Sequence, residues 1–228
     1  MRKKSTYKKK VEELEVVHGP RVQPLLPMNP AQRNYIECIK QYSQVFVTGP
    51  AGTGKTYIAA ALAADMYHRH QIHKIILTRP NIPAGKSLGF FAGTIEDKIA
   101  PWVYPLTEVL QQRLGSGKYE HVHKRGDIEI VPFEVMRGRS FNNAFVILDE
   151  GQNLTVHEMK MFLTRIGEDT KVVINGDISQ HDLKGSQSGL QVAIDLMHKH
   201  KIPAAHCNFT HADVVRSGIC AAWTKAFA

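Results

Sequence analysis

Short apolar runs alternate with helical patterns along most of the chain. The runs are rich in β-branched residues and stand at 44–48, 74–78, 128–131, 144–148, 171–174 and 205–209. Because most of them are continuously apolar, they predict strands that are buried on both faces. Patterns typical of helices lie between and around them, at 29–41, 55–69, 93–113, 154–166, 186–199 and 210–226.

The order of these elements predicts the fold class. Strands that alternate with helices form right-handed β-α-β units, whose strands lie parallel in one sheet. We therefore expect an α/β protein of three layers, with a mainly parallel sheet between helices. A length of 228 residues suits one large domain, which we expect to span residues 21–228.

The positive charge is concentrated at the amino terminus. The chain carries a net charge of +8, and residues 1–10, MRKKSTYKKK, hold six basic residues and no acidic one. Such a run predicts a disordered tail, over about residues 1–20, that attracts polyanions. A tail that only improves solubility is an equal alternative.

Composition also restricts where the protein works. The longest apolar stretch, YIAAALAADMY at 57–67, is shorter than a membrane span and contains Asp65. No apolar segment of signal-peptide length follows the basic amino terminus. The three cysteines, Cys38, Cys207 and Cys220, are too far apart in sequence for a disulfide framework or a CxxC zinc site. We therefore expect a cytoplasmic protein that does not cross a membrane.

The segment GPAGTGKT at 49–56 matches the phosphate-binding loop G-x-x-x-x-G-K-[ST]. It follows the strand at 44–48 and opens a helix, which is the context that this motif requires. Its glycines allow backbone N–H groups to face phosphate oxygens, while Lys55 would reach the β and γ phosphates and Thr56 would bind Mg²⁺. A glycine-rich loop without this role is the weaker alternative. The candidate ATP-binding residues here are Gly49, Pro50, Ala51, Gly52, Thr53, Gly54, Lys55, Thr56 and Tyr57.

Two adjacent carboxylates end the apolar strand in VILDEGQN at 146–153. An isolated pair of this kind usually begins a solvated loop. Beside a phosphate-binding loop, Asp149 is instead the expected acid that holds Mg²⁺ through water. Glu150 can then polarise a water for attack on the γ-phosphate as a general base. Gln152, close behind, is expected to link the γ-phosphate with a neighbouring subunit or nucleic acid.

Two glutamines complete the candidate site. In VVINGDISQ at 172–180, Gln180 follows a strand end and could contact both the γ-phosphate and another surface, and so sense hydrolysis. Gln32 begins the helix at 29–41, where its amide could read both a donor and an acceptor on adenine. The alternatives are a simple turn for the first residue and a solvated helix start for the second.

Together these residues resemble the PhoH family. Further similar stretches are LTRPNIPAGKSLGFFAGTIEDKIAPWVYPL (77–106), FEVMRGRSFNNAFVILDEGQN (133–153), LTRIGEDTKVVINGDISQHDL (163–183) and HCNFTHADVVRSG (206–218). The resemblance runs from about Asn29 to the last residue and implies an ATPase domain similar to the first RecA-like domain of superfamily 1 helicases. Gly151 is a departure, because the family usually has alanine there.

The resemblance implies a nucleic-acid partner. Arg79 and the loop after it correspond to the helicase region that contacts a single strand. Aromatic and basic residues nearby could stack bases and pair with phosphates, namely Phe90, Phe91, Trp102, Tyr104, Lys86 and Lys98. The alternative is that the aromatic rings fill a core or a subunit interface. RNA or single-stranded DNA is the expected partner.

An arginine usually stabilises the γ-phosphate in the transition state. The candidates are Arg137, Arg139, Arg165 and Arg216. A superfamily 1 motor supplies its arginine from a second RecA-like domain, for which this chain is too short. We therefore expect an arginine from a neighbouring subunit and a homo-oligomer, such as a hexameric ring.

These observations favour a Mg²⁺-dependent ATPase that acts as an oligomeric, helicase-like motor on RNA or single-stranded DNA. Two alternatives remain open. One is an ATP-binding switch or scaffold without motor activity. The other is a P-loop kinase of a small acceptor, which would leave Glu150 and Gln180 without a role.

Overall fold

The computed structural model describes residues 24–80, 95–133, 136, 138–180, 183, 187–215, 218, 219 and 223, with the backbone alone over 95–100. These residues form an α/β fold built on one sheet. The predicted tail over 1–20 and the loop that carries Phe90 and Phe91 lie outside the described residues.

The elements follow one another much as the apolar pattern predicts. The strands are β1 (Gln44–Thr48), β2 (Lys74–Thr78), β3 (Ile128–Ile130), β4 (Ala144–Leu148), β5 (Lys171–Gly176) and β6 (Ala205–Asn208). The helices are α1 (Pro30–Gln41), α2 (Lys55–His68), α3 (Ile95–Leu114), α4 (Ser116–Lys124), α5 (Val156–Leu163) and α6 (Gly189–His200). Short 3-10 turns are described at Gly151–Asn153 and His211–Asp213.

The strand order is β3-β2-β4-β5-β1-β6, and every described pair is parallel. The α/β class is therefore confirmed, with a fully parallel sheet over the described residues where a mainly parallel one was expected. In this order β5 lies between β1 and β4. The segments that follow these three strands consequently meet at the carboxyl edge of the sheet.

Alternate strand residues pack into two separate cores. Residues such as Val45, Val47 and Ile147 face a core shared with α1 to α4, whereas Phe46 and Val146 face a core shared with α5 and α6. Because both faces of the strands are covered, their sequences are continuously apolar. The expected three layers are present.

Helix α2 lies in the middle of the first core. Its alanines, from Ala59 to Ala64, are almost fully buried and allow the helix to pack closely on its neighbours. Asp65 near its end forms a two-point ion pair with Arg113 of α3, at 2.6 Å from Nη2 to Oδ2. Of the described helices, none is both long and apolar enough to cross a membrane.

Two parts of the helix prediction are wrong. Helix α4 is missing from it, because Gly115 (φ +83°) separates α4 from α3 and only Tyr119 and Val122 of α4 are buried, which leaves little apolar pattern. The predicted helix at 210–226 begins instead as a 3-10 turn, closed by reciprocal hydrogen bonds between Thr210 and Asp213. The two residues after that turn are not helical, whereas Gly218, Ile219 and Trp223 are, so the prediction is wrong at its start and agrees with the later residues that the structure describes.

Candidate active site

A cavity of about 460 Å³ opens at the carboxyl edge of the sheet. Parallel sheets commonly bind ligands at this edge. Residues from the glycine loop, the end of β4 and the end of β5 surround the cavity. Its lining includes these sequence-predicted residues: Ala51, Gly52, Gly54, Lys55, Thr56, Tyr57, Asp149, Glu150 and Gln180.

The glycine loop has a backbone that other residues could not adopt at two points. Gly49 has φ +132°, and an added Cβ there would lie 2.3 Å from the carbonyl oxygen of Phe209. Gly54 has φ +91°, and its Cβ would lie 2.9 Å from Nε2 of Gln32. These glycines therefore allow both the left-handed turns and the close contact with neighbouring chain.

Gln32 connects this loop to the segment before α1 through hydrogen bonds. Its Nε2 donates to the carbonyl of Thr53 at 2.9 Å, and its Oε1 accepts from the backbone N–H of Met28 at 2.9 Å. The side chain is buried, with 4% of its surface exposed. Thr53 also donates from its hydroxyl to the carbonyl of Pro50. In this arrangement Gln32 shapes the loop, and its contact with adenine stays a prediction.

Lys55 lies within the curve of the loop. Its ammonium donates to the carbonyls of Gly49 and Pro50 at 2.6 and 2.8 Å. Burial lowers the pKa of Lys55, and the nearby carboxylates, of which Asp177 has the largest effect, oppose that shift. The ammonium is therefore held by carbonyl dipoles at the place where a nucleotide phosphate would bind.

Asp149 meets Thr56 at the start of α2. The Thr56 hydroxyl and the Asn175 amide both donate to Oδ1 of Asp149, each at 3.2 Å. Burial raises the pKa of the Asp149 carboxyl and the charge of Glu150 adds to the rise, while Arg79 and the two hydrogen bonds oppose it. A hydroxyl and a carboxylate at this spacing are oxygen donors of the kind that suits Mg²⁺.

Glu150 adopts a left-handed backbone conformation, with φ +54° and ψ +37°. This conformation costs a non-glycine residue roughly 1 to 3 kcal/mol and tends to occur at functional sites. Its carboxylate accepts a hydrogen bond from Nε2 of Gln152 at 2.6 Å and lies 3.5 Å from Nη2 of Arg79. The strained turn thus holds the carboxylate at the cavity wall.

Gln152 joins the ends of β4 and β5. While its Nε2 contacts Glu150, its Oε1 accepts from the backbone N–H of Asp177 at 3.1 Å. The residue is 3% exposed in this arrangement, and its expected link between the γ-phosphate and a neighbouring subunit or nucleic acid stays a prediction. An added Cβ on Gly176 would lie 2.9 Å from Oε1 of Gln152, which explains the glycine at that position.

Sequence reasoning missed two buried residues that support Asp149. Asn175 is 1% exposed, and its Oδ1 accepts a hydrogen bond from the Tyr35 hydroxyl at 3.3 Å. The same hydroxyl lies 3.4 Å from the carbonyl of Lys55. Burial raises the pKa of Tyr35 well above its usual value. An asparagine within an apolar strand was the available signal for this network.

Neither of the two candidate arginines that the structure describes, Arg139 and Arg165, lines the cavity. Arg165 lies between the end of α5 and the start of β5, which is the opposite edge of the sheet and one strand length, roughly 16 Å, away. Arg139 pairs with Glu129 of β3. Arg137 and Arg216 lie outside the described residues. Among the described residues, the arginine that lines the cavity is Arg79, whose expected role is contact with nucleic acid.

Helix α3 brings aromatic residues close to this arginine. Nη1 of Arg79 donates to the carbonyl of Trp102 at 3.2 Å, and the guanidinium carbon lies 5.6 Å from the centre of the indole ring. Tyr104 is 60% exposed. Of the other residues expected at a nucleic-acid surface, Lys86 lies outside the described residues and the side chain of Lys98 is not described. Trp102, which is half-buried, therefore contacts an arginine of the cavity wall, and Tyr104 is the exposed aromatic residue of this part of α3.

Comparison with known proteins identifies relatives. A family model described as "PhoH: PhoH-like protein" matches residues 24–228. The chain is 44% identical over 200 residues to "Protein PhoH" of Escherichia coli (strain K12), a match that covers 86% of this chain and 56% of that protein. It is 41% identical over 222 residues to "PhoH-like protein" of Bacillus subtilis (strain 168), covering 97% and 69%. The chain thus spans little more than half of the first relative.

A similar solved structure is "Crystal structure of Pif1 helicase from Candida albicans". The two chains superpose with a TM-score of 0.43 and 14% sequence identity. The match covers 82% of this chain and 40% of the other.

Proposed function

The chain belongs to the PhoH family, and from that membership we propose that it binds ATP with Mg²⁺ and hydrolyses the γ-phosphate. One observation carries the proposal. The Thr56 hydroxyl lies 3.2 Å from the Asp149 carboxylate at the start of the helix that follows the glycine loop, and Glu150 stands next to it. Glycine loop, metal-suited oxygens and a separate carboxylate are the parts that ATP hydrolysis requires.

Phosphate binding would use the chain's own dipoles and one cation. Backbone N–H groups of the glycine loop and the amino end of α2 would face the phosphate oxygens. Lys55 would exchange the carbonyls of Gly49 and Pro50 for the β and γ phosphates. Mg²⁺, held by Thr56 and through water by Asp149, would neutralise part of the phosphate charge.

Glu150 would serve the attacking water. Its carboxylate would orient the water and accept a proton as the water oxygen bonds to the γ-phosphorus. The bond from that phosphorus to the bridging oxygen breaks, giving ADP and inorganic phosphate. Gln180, which lines the same cavity, would contact the γ-phosphate and respond to its loss.

We further propose that hydrolysis is coupled to work on RNA or single-stranded DNA by an oligomer of this chain. The support is the exposed ring of Tyr104 on α3, a helix that contributes Pro105, Glu108 and Val109 to the cavity lining, since exposed rings stack on unpaired bases. Cys38 and Cys207 are free thiols, which suits a cytoplasmic setting.

The test measures ATP turnover alone and with RNA, single-stranded DNA or duplex DNA. We expect turnover that rises with a single-stranded polymer and falls by about 10² to 10⁴-fold in Glu150→Gln. Glu120→Gln, the same chemical change at an exposed residue of α4, is the matched control and should leave turnover unchanged. A Glu150→Gln variant as fast as the parent contradicts the assigned base.

Other outcomes separate the alternatives. ATP binding without turnover under any of these conditions favours the switch or scaffold. Transfer of phosphate to an added small acceptor, with no free phosphate, favours the kinase. Mass photometry with and without ATP tests the oligomer, and a monomer in both conditions contradicts it.

A further inference from the structure

The cavity holds more negative than positive charge. Among the described residues that line it, the cations are Lys55 and Arg79, whereas carboxylates come from Asp149, Glu150, Asp177 and Glu108. Charge builds up on the γ-phosphate oxygens in the transition state, and one lysine with a divalent cation is usually supplemented by an arginine. Arg79 is therefore placed where such a group is needed.

The fold fixes the position of Arg79. It follows β2 directly, and β2 pairs with β4 so that Thr78 lies opposite Leu148. The backbone N–H of Asp149 also donates to the carbonyl of Thr78 at 3.0 Å. Because the two strands end together, Arg79 stands beside Glu150 as part of the sheet edge.

The contacts of Arg79 leave it able to change partner. It meets Glu150 through one distance of 3.5 Å, which is longer than the usual contact of a charged hydrogen bond. Arg79 has closer contacts with Trp102. It donates to the Trp102 carbonyl at 3.2 Å, and its guanidinium lies over the face of the indole ring. A guanidinium has five N–H donors, and these contacts do not require all of them. A phosphate offers a better, two-point acceptor.

We infer that Arg79 is a catalytic residue that binds the γ-phosphate from the same chain that supplies the glycine loop. The inference rests on the proposed ATPase function. When ATP binds, the guanidinium turns from Glu150 to the γ-phosphate oxygens while Trp102 keeps it in place. This exchange stabilises the transition state and leaves the Glu150 carboxylate free to accept the proton of the attacking water. No arginine from a neighbouring subunit is then required.

The first experiment compares Arg79→Ala and Arg79→Lys with the parent protein, and Arg69→Ala, at an exposed residue beyond the far end of α2, is the matched control. We expect turnover to fall about 10³-fold in Arg79→Ala. Arg79→Lys should recover part of it, because the charge is kept without the two-point contact. A turnover of Arg79→Ala equal to or above that of the parent overturns the inference and leaves Arg79 as a partner of Glu150 only.

A second readout separates phosphate contact from a structural effect. Affinity for ADP should be unchanged in Arg79→Ala, whereas a non-hydrolysable ATP analogue should bind about tenfold less tightly, and ADP with aluminium fluoride should no longer be retained. Equal losses for ADP and the analogue contradict a γ-phosphate contact. These binding measurements remain decisive if the parent shows no turnover, so failure of the ATPase proposal is distinguished from failure of this inference.

A mixing experiment tests whether Arg79 and Glu150 of one active site come from the same chain or from two neighbouring subunits. Arg79→Ala and Glu150→Gln subunits are combined at equal concentration and assayed for ATP turnover. If both residues act in the same site, every mixed site lacks one of them and turnover stays at the level of the variants. Recovery of a substantial fraction of parental turnover means that a neighbouring subunit provides Arg79, and contradicts the inference.

Discussion

Two groups of charged residues flank the same sheet and differ in how their charges are balanced. Around the edge strand β3, Glu129 pairs with Lys74 and Arg139 at 2.5 Å each, and Asp127 pairs with Arg125. In the cavity, Asp149 accepts hydrogen bonds from a hydroxyl and an amide instead of a close cation. We call the first group the β3 cluster.

The pKa values of the two groups shift in opposite directions. Burial acts to raise the pKa of Glu129, but hydrogen bonds from Lys74 and Arg139 outweigh it and lower the value. For Asp149, burial and Glu150 together raise the pKa. The β3 cluster therefore stabilises the fold, whereas the cavity keeps a carboxylate whose charge a bound cation would relieve. Carboxylates whose pKa is raised by burial and by a neighbouring negative charge are typical of functional sites.

Lys55→Ala should have a large effect on turnover, and it tests whether the cavity is a functional site. Without the ammonium, the β and γ phosphates lose their direct cation, and we expect ATP turnover to fall by about 10² to 10³-fold. A phosphate-release assay measures it. Lys160→Ala, at an exposed site on α5, is the control. Unchanged turnover in Lys55→Ala would remove the basis for calling the cavity an active site.

Asp149→Asn separates activity from stability. Turnover should fall at least about 10²-fold, because the amide cannot replace the carboxylate at the metal. Stability without nucleotide should rise, since a buried charge is removed and the oxygen still accepts from Thr56 and Asn175. We expect a melting temperature about 2 to 4 °C higher, equivalent to about 1 kcal/mol.

The gain in stability that we expect for Asp149→Asn should depend on pH in one direction. A raised native pKa means that ionised Asp149 destabilises the fold above that pKa, and the penalty disappears as the pH falls toward the ordinary aspartate value of about 3.9. The advantage of Asp149→Asn should thus be largest near neutral pH and shrink in acid. A variant less stable than the parent at pH 7 contradicts the comparison.

Gln152→Ala tests the link between the two strand ends. It leaves the N–H of Asp177 and the carboxylate of Glu150 without this partner, so we expect a loss of about 1 to 3 kcal/mol in the free energy of unfolding. Turnover should fall about tenfold because Glu150 is less well held. Urea unfolding and the phosphate assay measure both. Gln112→Ala, at an exposed residue of α3, should change neither.

Glu129→Gln should give the smallest effect. It tests whether the β3 cluster stabilises the fold without contributing to turnover. Turnover should stay at the parental level, while stability falls by about 0.5 to 1 kcal/mol at neutral pH, since the pairs are partly exposed to solvent. The lowered native pKa means that this contribution is full above the ordinary glutamate pKa of about 4.3 and is lost as the pH falls through the native value. Parent and variant should therefore converge in acid. A large loss of turnover would contradict the separation of the two groups.

Local pattern allowed much of the fold and the centre of the site to be predicted. The glycine loop and the carboxylate pair could be recognised because contiguous residues form each of them. Prediction was weaker for α4, whose short buried face left little pattern, and for the segment after Thr210, where a capped 3-10 turn stands in place of the predicted start of the helix. It was also weaker for Arg79, which sequence order separates widely from Glu150.

The sequence by itself determined the parallel α/β class and the glycine loop, because continuously apolar strands and closely spaced glycines are local features of the chain. Only the tertiary structure decided that β5 lies between β1 and β4 and that β2 ends beside β4. That order brings Asn175 to Asp149 and Arg79 to Glu150. The physical reason is that strand pairing depends on how every helix packs against the whole sheet, and no short stretch of sequence contains that information.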